Sequence, residues 1–334
     1  MSRLILTAFG GDVSDTVSLD QGPDLVPGPE DLLVAVEAAP VNPADFLLAA
    51  GWYGVRPDLP YALGAEGVGR VLDAGSAVER TLVGRRVLIL PTYEQGTWAH
   101  RVVVPARNVV AVGEEGDALQ LAMLAINPAT AYLLLNRYVP LQPGDWIGLN
   151  LANSAVGQYV VELARRAGVR TLAVVRRDAA AKQVQALSAD VVLVDGDDLG
   201  HRVAQSLGDA RLRLFLDGIG GTWTSAVVPS LETNATVVSF SSVTAAPPVL
   251  PLGDLIFREL SLHGFFAINW VREAPRSEIE ETYSALAELV EKGVINAAVE
   301  ATYPLDRYRE ALAHAQQPER SGKVLFTFER TDAS

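Results

Sequence analysis

The chain has 334 residues, of which 49% are hydrophobic and 20% are charged, so it has the composition of a folded protein with room for two hydrophobic cores. Its formal net charge of -13 argues against a nucleic-acid or anionic-membrane surface, because such surfaces need clustered Lys and Arg. The sequence contains no cysteine, which excludes disulfides, cysteine nucleophiles and thiolate metal sites. We expect a cytoplasmic protein, because neither a signal-peptide core nor an apolar run of about 18 residues is found.

The first 118 residues have the pattern of a β-rich domain. Short runs rich in valine, separated by glycine and proline, predict strands at 32–41, 67–75, 85–90 and 100–112. We therefore predict a compact β domain, close to a barrel, over residues 1–118.

From about residue 140, strand and helix patterns alternate. WIGLN, TLAVVRR, VVLVD, LRLFLDGIG and NATVVSF predict strands, and VGQYVVELARRAG and AAAKQVQALSAD predict helices between them. Gly168 is placed to end the first of these helices. This alternation predicts an α/β domain, a doubly wound parallel sheet of the Rossmann type, over residues 119–264.

Residues 265–334 do not extend the series. Amphipathic helices are predicted at 276–292 and 306–316, and GKVLFTF (322–328) predicts a last strand. The simplest arrangement inserts the Rossmann domain between the β domain and a C-terminal segment that returns to it.

The turn after the first strand of the parallel sheet is a candidate phosphate-binding turn. Its G-x-G-x-x-G fingerprint is reduced to Ala152-x-Ser154-x-x-Gly157, with small residues at the substituted positions. Ser154 could donate its hydroxyl to a phosphate or cap the following helix. An ordinary strand-to-helix turn with a serine cap is the alternative.

Two adjacent arginines, Arg176 and Arg177, end the next strand, about twenty residues past the turn. An acidic residue in this region is typical of NAD enzymes, whereas arginine accommodates the 2′-phosphate of NADP. In an acidic chain this pair favours NADPH, with exposed arginines at a strand end as the alternative.

Four segments together resemble the medium-chain dehydrogenase/reductase superfamily. They are PVNPADFLLAAGWYGVRPDLPYALGAEGVGRV (40–71), LAMLAINPATAYLLL (121–135), NLANSAVGQ (150–158) and LDGIGG (216–221). Within it the chain is most similar to mitochondrial-type 2-enoyl thioester reductases, and next to quinone oxidoreductases. The resemblance implies a GroES-like catalytic domain and a Rossmann domain, with hydride donor and substrate meeting in a cleft between them.

The resemblance also indicates a zinc-independent enzyme. Alcohol dehydrogenases of the superfamily hold catalytic zinc with a cysteine and a histidine, and the matching residues here are Asn42 and Ala65. The four histidines, His100, His201, His263 and His314, are scattered singly along the sequence. No metal ligand is therefore predicted.

The resemblance implies the following site residues. Tyr53 would donate a proton to the substrate or orient it, with Tyr61 as its nearest competitor, and Asn42 would line the cleft near the nicotinamide. The implied cofactor contacts are Thr130, Asn153, Ser154, Ala155, Val156, Gly157, Arg176, Arg177, Phe240 and Phe266. The implied pocket residues are Trp52, Phe265 and Trp270. Helix capping by Thr130, loop packing of Trp52 and Tyr53, and simple core positions for the other aromatic residues are the alternatives.

The predicted function is NADPH-dependent reduction of an activated C=C bond, with a 2-enoyl thioester as substrate. A quinone or small-enone reductase is the alternative, because the candidate anchors for a coenzyme A or carrier-protein phosphate, Arg137, Arg258, Arg272 and Arg276, are scattered. A non-catalytic NADPH-binding sensor is an alternative of another class. We also expect a homodimer that pairs through the edge of the Rossmann sheet. The run Val237 to Leu260 joins an apolar strand to a proline-rich apolar extension, TAAPPVLPL (244–252), that a monomer would leave exposed.

Overall fold

A computed structural model describes residues 2–22, 24–241, 244–317, 320 and 322–329. Its strands, in chain order, are β1 (Ser2–Leu6), β2 (Val17–Gln21), β3 (Asp31–Pro40), β4 (Tyr61–Ala62), β5 (Gly67–Ala74), β6 (Arg86–Ile89), β7 (Arg101–Pro105), β8 (Val109–Ala111), β9 (Trp146–Leu149), β10 (Arg170–Val175), β11 (Val191–Val194), β12 (Leu212–Asp217), β13 (Leu231–Ser239), β14 (Ser261–Gly264), β15 (Val299–Tyr303) and β16 (Lys323–Thr327).

The helices are α1 (Val13–Thr16), α2 (Pro43–Ala49), α3 (Ala118–Ala122), α4 (Asn127–Asn136), α5 (Ala155–Arg166), α6 (Asp178–Ala186), α7 (Leu199–Leu207), α8 (Thr222–Val227), α9 (Leu252–Phe257), α10 (Ala267–Glu273), α11 (Arg276–Glu291) and α12 (Tyr308–Ala315). Within the described ranges, none of these helices has the length and apolar character needed to cross a membrane.

The chain forms two compact units. The first contains Met1–Ala129 and Ala267–Ser334, and the second is Thr130–Phe266. The predicted fold class is confirmed, because a β-rich unit accompanies a parallel sheet with helices between its strands. The domain bounds 1–118, 119–264 and 265–334 stay a prediction.

The first unit is built around β3, which pairs with β5, β7 and β16. These strands belong to a seven-stranded sheet in which β15, β16, β3, β5, β6 and β8 follow one another and β7 pairs with β3. Alternate residues of β3, among them Leu32 and Val34, are fully buried, as expected of a strand with one face on the core. Leu325 of β16 lies opposite Pro40, so the last strand packs beside the first residues of the candidate site.

Among the features of this unit that differ from the prediction are a divided strand and a short helix. The segment 100–112 is two strands rather than one, because Ala106–Asn108 forms a 3₁₀ turn after Pro105, where β7 leaves β3 and β8 begins to pair with β6. The sequence pattern did not identify helix α2 (Pro43–Ala49), which has only seven residues. Its proline at the first position fits a helix start.

The second unit is a six-stranded parallel sheet in the order β11-β10-β9-β12-β13-β14. Numbered from β9, this is the 3-2-1-4-5-6 order typical of the Rossmann fold. Helix α5 ends as predicted, with Gly168 at φ +70° just beyond it. Leu172, Val203 and Phe215 belong to a core cluster of this unit.

The two edge strands of this sheet are β11 and β14, and the apolar strand in the run Val237 to Leu260 is neither of them. That strand, β13, pairs on both sides, with β12 and with β14. Residues 242 and 243 of the run lie outside the described residues. Large apolar side chains are nevertheless exposed on β14 and in the segment that leads into it, namely Val249, Leu252, Ile256, Phe257 and Leu262.

Candidate functional site

The carboxyl ends of the parallel strands form the candidate cofactor site of the second unit. The strand order reverses between β9 and β12, and ligands of open α/β sheets bind at such a reversal, outside the carboxyl ends of the strands. The turn after β9 and the glycines after β12 therefore lie at the expected place.

The turn from Asn150 to Gly157 is tight although its first two fingerprint glycines are replaced. Leu151 adopts φ +51°, a conformation that favours glycine. At the retained Gly157, a Cβ would lie 2.5 Å from the carbonyl oxygen of Leu151 and 2.7 Å from Cα of Ala152. Only glycine permits this close packing of helix and turn, which is the role of the third fingerprint glycine.

Ser154 caps α5, since its Oγ accepts the Gly157 N–H at 3.1 Å. This contact uses a lone pair of the hydroxyl and leaves its proton available to a phosphate, so both predicted roles are compatible. Asn153, Ala155 and Val156 belong to the same turn and first helical residues.

Beneath the turn, a buried polar network fixes the ends of β9 and β12. Asn150 Nδ2 donates to Asp217 Oδ1 at 2.7 Å, and the Gly218 N–H donates to Asn150 Oδ1 at 2.6 Å. Asp217 also accepts from Thr224 Oγ1 at 2.6 Å. Because these buried groups are satisfied by one another, the turn rests on a rigid base.

The other residues predicted to contact the cofactor lie as follows. Arg176 and Arg177 are exposed directly after β10, and Phe240 follows β13, with its ring edge 3.0 Å from where a Cβ on Gly218 would stand. Phe265 and Phe266 follow β14. Thr130 is inside α4, three residues past its first residue, so it does not occupy the cap position. The roles of these residues stay predictions.

In the first unit, Asn42 is the centre of a buried polar cluster formed with Asp45, Glu66 and Lys323. Its Nδ2 donates to Glu66 Oε1 at 2.8 Å, and its Oδ1 accepts from Lys323 Nζ at 2.6 Å. Its backbone N–H donates to Asp45 Oδ2 at 2.8 Å, at the start of α2. The Ile126 N–H donates to Glu66 Oε2 at 2.8 Å. Asn42, Asp45 and Glu66 are at most 4% exposed.

Burial dominates the electrostatics of this cluster. It raises the pKa of Asp45 to about 7, against the lowering effects of the Asn42 N–H and the Lys323 charge. Burial also raises the pKa of Glu66 and lowers the pKa of Lys323, although each charge favours the ionised form of the other. Burial thus moves the protonation of Asp45 from the acidic range, where an exposed carboxyl titrates, to near neutral pH.

The donor set at Asn42 does not fit a zinc ion. The carbonyl oxygen of its side chain is bonded to an ammonium group, which has no lone pair for a metal, and Ala65 has no ligand atom. Over the described ranges, no three His, Cys, Asp or Glu side chains converge to hold a metal ion.

Tyr53 lies in the loop after α2 and is partly buried, and its ring centroid is 5.6 Å from that of Tyr93. Burial raises the pKa of Tyr53, the nearby Tyr93 side chain lowers it, and the charges of Asp45 and Glu66 raise it. The phenol therefore keeps its proton at neutral pH, as a proton donor must. Tyr61 instead donates its hydroxyl to the Tyr93 carbonyl at 3.2 Å.

The two tryptophans predicted for the substrate pocket differ in exposure. Trp52 is 83% exposed, whereas Trp270 is 3% exposed and donates its indole N–H to Glu278 Oε1 at 2.8 Å. Trp270 also packs against Tyr283, which is the packing of a core residue. Its pocket role stays a prediction.

Sequence reasoning missed Asp45, Glu66 and Lys323 as members of the site. One signal was present: Lys323 begins an apolar strand and is one of only three lysines in the chain. A lysine at such a position needs a partner. The partner is 281 residues away, and spacing along the sequence cannot reveal it.

Three of the four arginines considered as phosphate anchors are engaged inside their own units. Arg258 donates to the Val228 carbonyl at 3.1 Å and to Asp254 at 2.7 Å. Arg272 donates to the Thr92 carbonyl at 2.9 Å, and Arg276 to the Val109 carbonyl at 2.6 Å. These hydrogen bonds stabilise loops and strand ends, so the three side chains are already engaged within the protein.

Comparison with known proteins identifies the family. The alcohol dehydrogenase GroES-like domain model matches residues 28–114, and the zinc-binding dehydrogenase model matches residues 155–291. The mitochondrial enoyl-[acyl-carrier-protein] reductase of Homo sapiens is 30% identical over 330 residues, which cover 97% of this chain and 88% of that protein. The chain belongs to the medium-chain dehydrogenase/reductase superfamily.

Other members of the medium-chain dehydrogenase/reductase superfamily extend the match. The enoyl-[acyl-carrier-protein] reductase of Rattus norvegicus is 32% identical over 302 residues, covering 89% of this chain and 81% of that protein. A mycobacterial quinone oxidoreductase structure has a TM-score of 0.88 at 25% identity, covering 98% of this chain and 100% of that one. A mutant enoyl thioester reductase from Candida tropicalis has a TM-score of 0.81 at 21% identity, covering 98% and 100%, and shares the fold. The resemblance to this superfamily is confirmed, and the chain is an oxidoreductase.

Proposed function

We propose that the protein reduces an activated C=C bond with NADPH, and that its substrate is a 2-enoyl thioester. The observation that carries the proposal is the partly buried Tyr53 phenol, whose pKa is raised by burial, in the same unit as the Asn42 cluster. The curated relatives that support the substrate class are named enoyl-[acyl-carrier-protein] reductases.

The residues of the second unit fit a dinucleotide. The turn before α5 offers the Ser154 hydroxyl and the N-terminus of a twelve-residue helix, which favour a phosphate group. Arg176 and Arg177 are exposed after β10, and arginine in this region of a Rossmann fold accommodates a ribose 2′-phosphate, which supports NADPH over NADH. When bound, NADPH supplies the hydride that adds to the β-carbon.

Residues of the first unit complete the reaction. Tyr53 holds a proton at neutral pH and donates it to the α-carbon, so that one hydride and one proton have added across the double bond. The phenolate that remains takes a proton back from water. Asn42 cannot rotate its amide, because Lys323 holds Oδ1 and Glu66 holds Nδ2, and it therefore presents a fixed polar face to the bound molecules.

A specific observation favours a second candidate, a quinone or small-enone reductase. Arg258, Arg272 and Arg276 are bonded to backbone carbonyls, so three of the four candidate anchors for the phosphates of a thioester carrier are already engaged. The mycobacterial quinone oxidoreductase likewise has the same fold over nearly the whole chain. A substrate without a phosphate handle suits these features.

Steady-state NADPH oxidation distinguishes the two candidates. Crotonyl and longer enoyl thioesters are compared with benzoquinones and simple enones. A thioester preference above about tenfold in kcat/KM, equivalent to about 1.4 kcal/mol, supports the first candidate, and a quinone or enone preference supports the second. If no acceptor oxidises NADPH although NADPH binds, the protein is a sensor and both candidates are wrong.

Tyr53→Phe tests the chemistry. The change keeps the ring and removes the proton, so we expect kcat on the best enoyl thioester to fall by about 10² to 10⁴, the usual effect of losing a general acid, with NADPH affinity unchanged. Tyr308→Phe is the matched control, because Tyr308 is a buried tyrosine whose hydroxyl donates to the Val17 carbonyl at 3.4 Å, outside the proposed site. Wild-type kcat in Tyr53→Phe would show that the phenol is only part of the pocket wall.

We further propose a homodimer assembled through the β14 edge, and a cytoplasmic location. The exposed apolar side chains around β14 support the dimer, and the absence of cysteine from the sequence is compatible with the reducing conditions of the cytoplasm.

A further inference from the structure

The hydroxyl of Tyr93 is a buried polar group that the proposed reaction does not yet use. Tyr93 is 7% exposed, and its Oη has no hydrogen-bond partner of good geometry among the described residues. A buried hydroxyl without a partner is unfavourable, and such groups recur at functional sites. Phenylalanine would fill the same space without that penalty.

The backbone of Tyr93 is also in an unusual conformation. Its φ is +61°, in the left-handed region that a bulky side chain rarely adopts. Strain of this kind persists only where the surroundings hold it, and here it aims an aromatic side chain from a loop toward the Tyr53 ring.

A hydrogen-bonded frame holds the Tyr93 loop. Tyr61 donates its hydroxyl to the Tyr93 carbonyl at 3.2 Å, and Arg272 donates to the adjacent Thr92 carbonyl at 2.9 Å. Asn108 Nδ2 donates both to Thr92 Oγ1 at 2.9 Å and to Gln95 Oε1 at 3.0 Å. The loop is therefore fixed before any ligand binds, which is the condition for a group that positions another.

The two phenols lie close to each other. Their ring centroids are 5.6 Å apart, and the planes are tilted by 41°. Burial is the chief cause that raises the pKa of both phenols, and the contact with Tyr93 partly offsets this rise at Tyr53. A Tyr93 hydroxyl that donates toward the Tyr53 oxygen would have this offsetting effect. In ligand-free proteins such contacts are often long and shorten when substrate binds.

We propose that Tyr93 is a positioning residue, whose hydroxyl donates a hydrogen bond to the Tyr53 oxygen and so turns the Tyr53 proton toward the substrate. The same bond stabilises the phenolate that Tyr53 becomes after it gives up its proton. The inference rests on the proposed role of Tyr53 and adds a residue that fixes the direction of proton transfer.

Tyr93→Phe is the first variant, measured as the full chain with saturating NADPH and the best acceptor. The change removes one neutral hydrogen bond, so we expect kcat to fall about three- to tenfold with the KM for NADPH unchanged. Tyr308→Phe, which also removes the hydroxyl of a buried tyrosine, should retain wild-type kcat. Thermal unfolding of each variant checks that the fold is intact.

A double-mutant cycle with Tyr53→Phe separates positioning from packing. If Tyr93 acts through the Tyr53 oxygen, Tyr93→Phe should change kcat by less than twofold once Tyr53 is already Phe. Tyr61→Phe, which loosens the Tyr93 carbonyl, should show a smaller loss that also disappears in the Tyr53→Phe background. If Tyr93→Phe folds poorly, Tyr61→Phe is used in its place to test whether the Tyr93 loop acts through Tyr53.

Three results would overturn the proposal. They are wild-type kcat in Tyr93→Phe, an equal loss from Tyr93→Phe in both backgrounds, and wild-type kcat in Tyr53→Phe. Only the last also contradicts the role of Tyr53 in the proposed function. Loss of activity in Tyr53→Phe with none in Tyr93→Phe would leave that function intact and remove Tyr93 alone.

Discussion

The side-chain amide of Asn42 is hydrogen-bonded to a basic residue at its oxygen and to an acidic residue at its nitrogen. Lys323 can only donate and Glu66, when ionised, can only accept, so the orientation of the amide is set by chemistry rather than by packing. Asp45 joins the cluster through the backbone of Asn42. A substitution at any of these three partners should therefore change the position or orientation of Asn42. Of the four residues, only Asn42 was predicted from the sequence as a member of the site.

Asp45→Asn tests the electrostatics at this scale. Native Asp45 holds its proton up to about pH 7, whereas in the unfolded chain it ionises near 3.8. The native state thus binds more protons in this window, so this group's contribution to the free energy of unfolding is fully present below about pH 4 and is lost as pH rises through 7. Asparagine at position 45 does not ionise, so it does not cause this loss of stability with rising pH, and its side-chain oxygen can still accept the Asn42 N–H. We expect the stability of Asp45→Asn relative to wild type to increase between pH 4 and 8, measured by urea unfolding.

Asp15→Asn, on the short helix α1 in the same unit, is the control for removing one carboxylate. Its stability relative to wild type should change less with pH. A relative stability of Asp45→Asn that is constant from pH 4 to 8 would show that Asp45 is ionised in the native protein.

At the scale of elements, periodicity predicted the β-rich unit and the strand-helix alternation, because each strand and helix buries one face on its own core. Periodicity missed α2, because seven residues give too few turns for a helical pattern. It also merged β7 with β8, because valine-rich sequence continues on both sides of Pro105. The phosphate turn was identified from its context although two glycines were missing. The positive φ at Leu151, which tightens the turn, has no sequence signal.

The end of β10 provides a prediction about this element. Both arginines are exposed at the carboxyl edge of the sheet, so replacing them should not disturb the core. We expect Arg176→Ala with Arg177→Ala to raise the KM for NADPH at least tenfold, about the effect of losing one charge-assisted hydrogen bond of 1.5 to 3 kcal/mol. The KM for NADH should change little, because NADH lacks the 2′-phosphate.

Exposed arginines elsewhere provide the control for this change. Arg165→Ala with Arg166→Ala removes two positive charges from the last turn of α5, away from the carboxyl edge, and should leave both KM values unchanged. An equal rise for NADPH and NADH in the Arg176/Arg177 variant would mean that the pair is structural or binds a group that the two cofactors share.

At the scale of the whole molecule, charge and exposed apolar surface act in opposite directions. The net charge of -13 keeps the chain soluble and opposes self-association. Against this, α9 and β14 expose Phe257 at 84% and Leu262 at 43%, beside a strand whose outer edge is unpaired in the described sheet. An apolar edge of this kind is unfavourable in a monomer, so we expect a second copy related by a two-fold axis to cover it. The sequence signalled the apolar run, but it could not show which strand would be the edge.

The dimer prediction follows from that edge. In Phe257→Glu with Leu262→Glu, charges of one sign replace exposed apolar side chains while the buried core is unchanged, so we expect light scattering to shift from the mass of two chains to that of one. Val26→Glu is the control, because Val26 is an apolar residue 82% exposed in the other unit, and it should remain dimeric. A wild-type mass of one chain, independent of concentration, would contradict the dimer itself. If the double variant is still a dimer, the interface does not lie at β14. A two-fold interface there would bury the introduced charges of both copies, which is unfavourable.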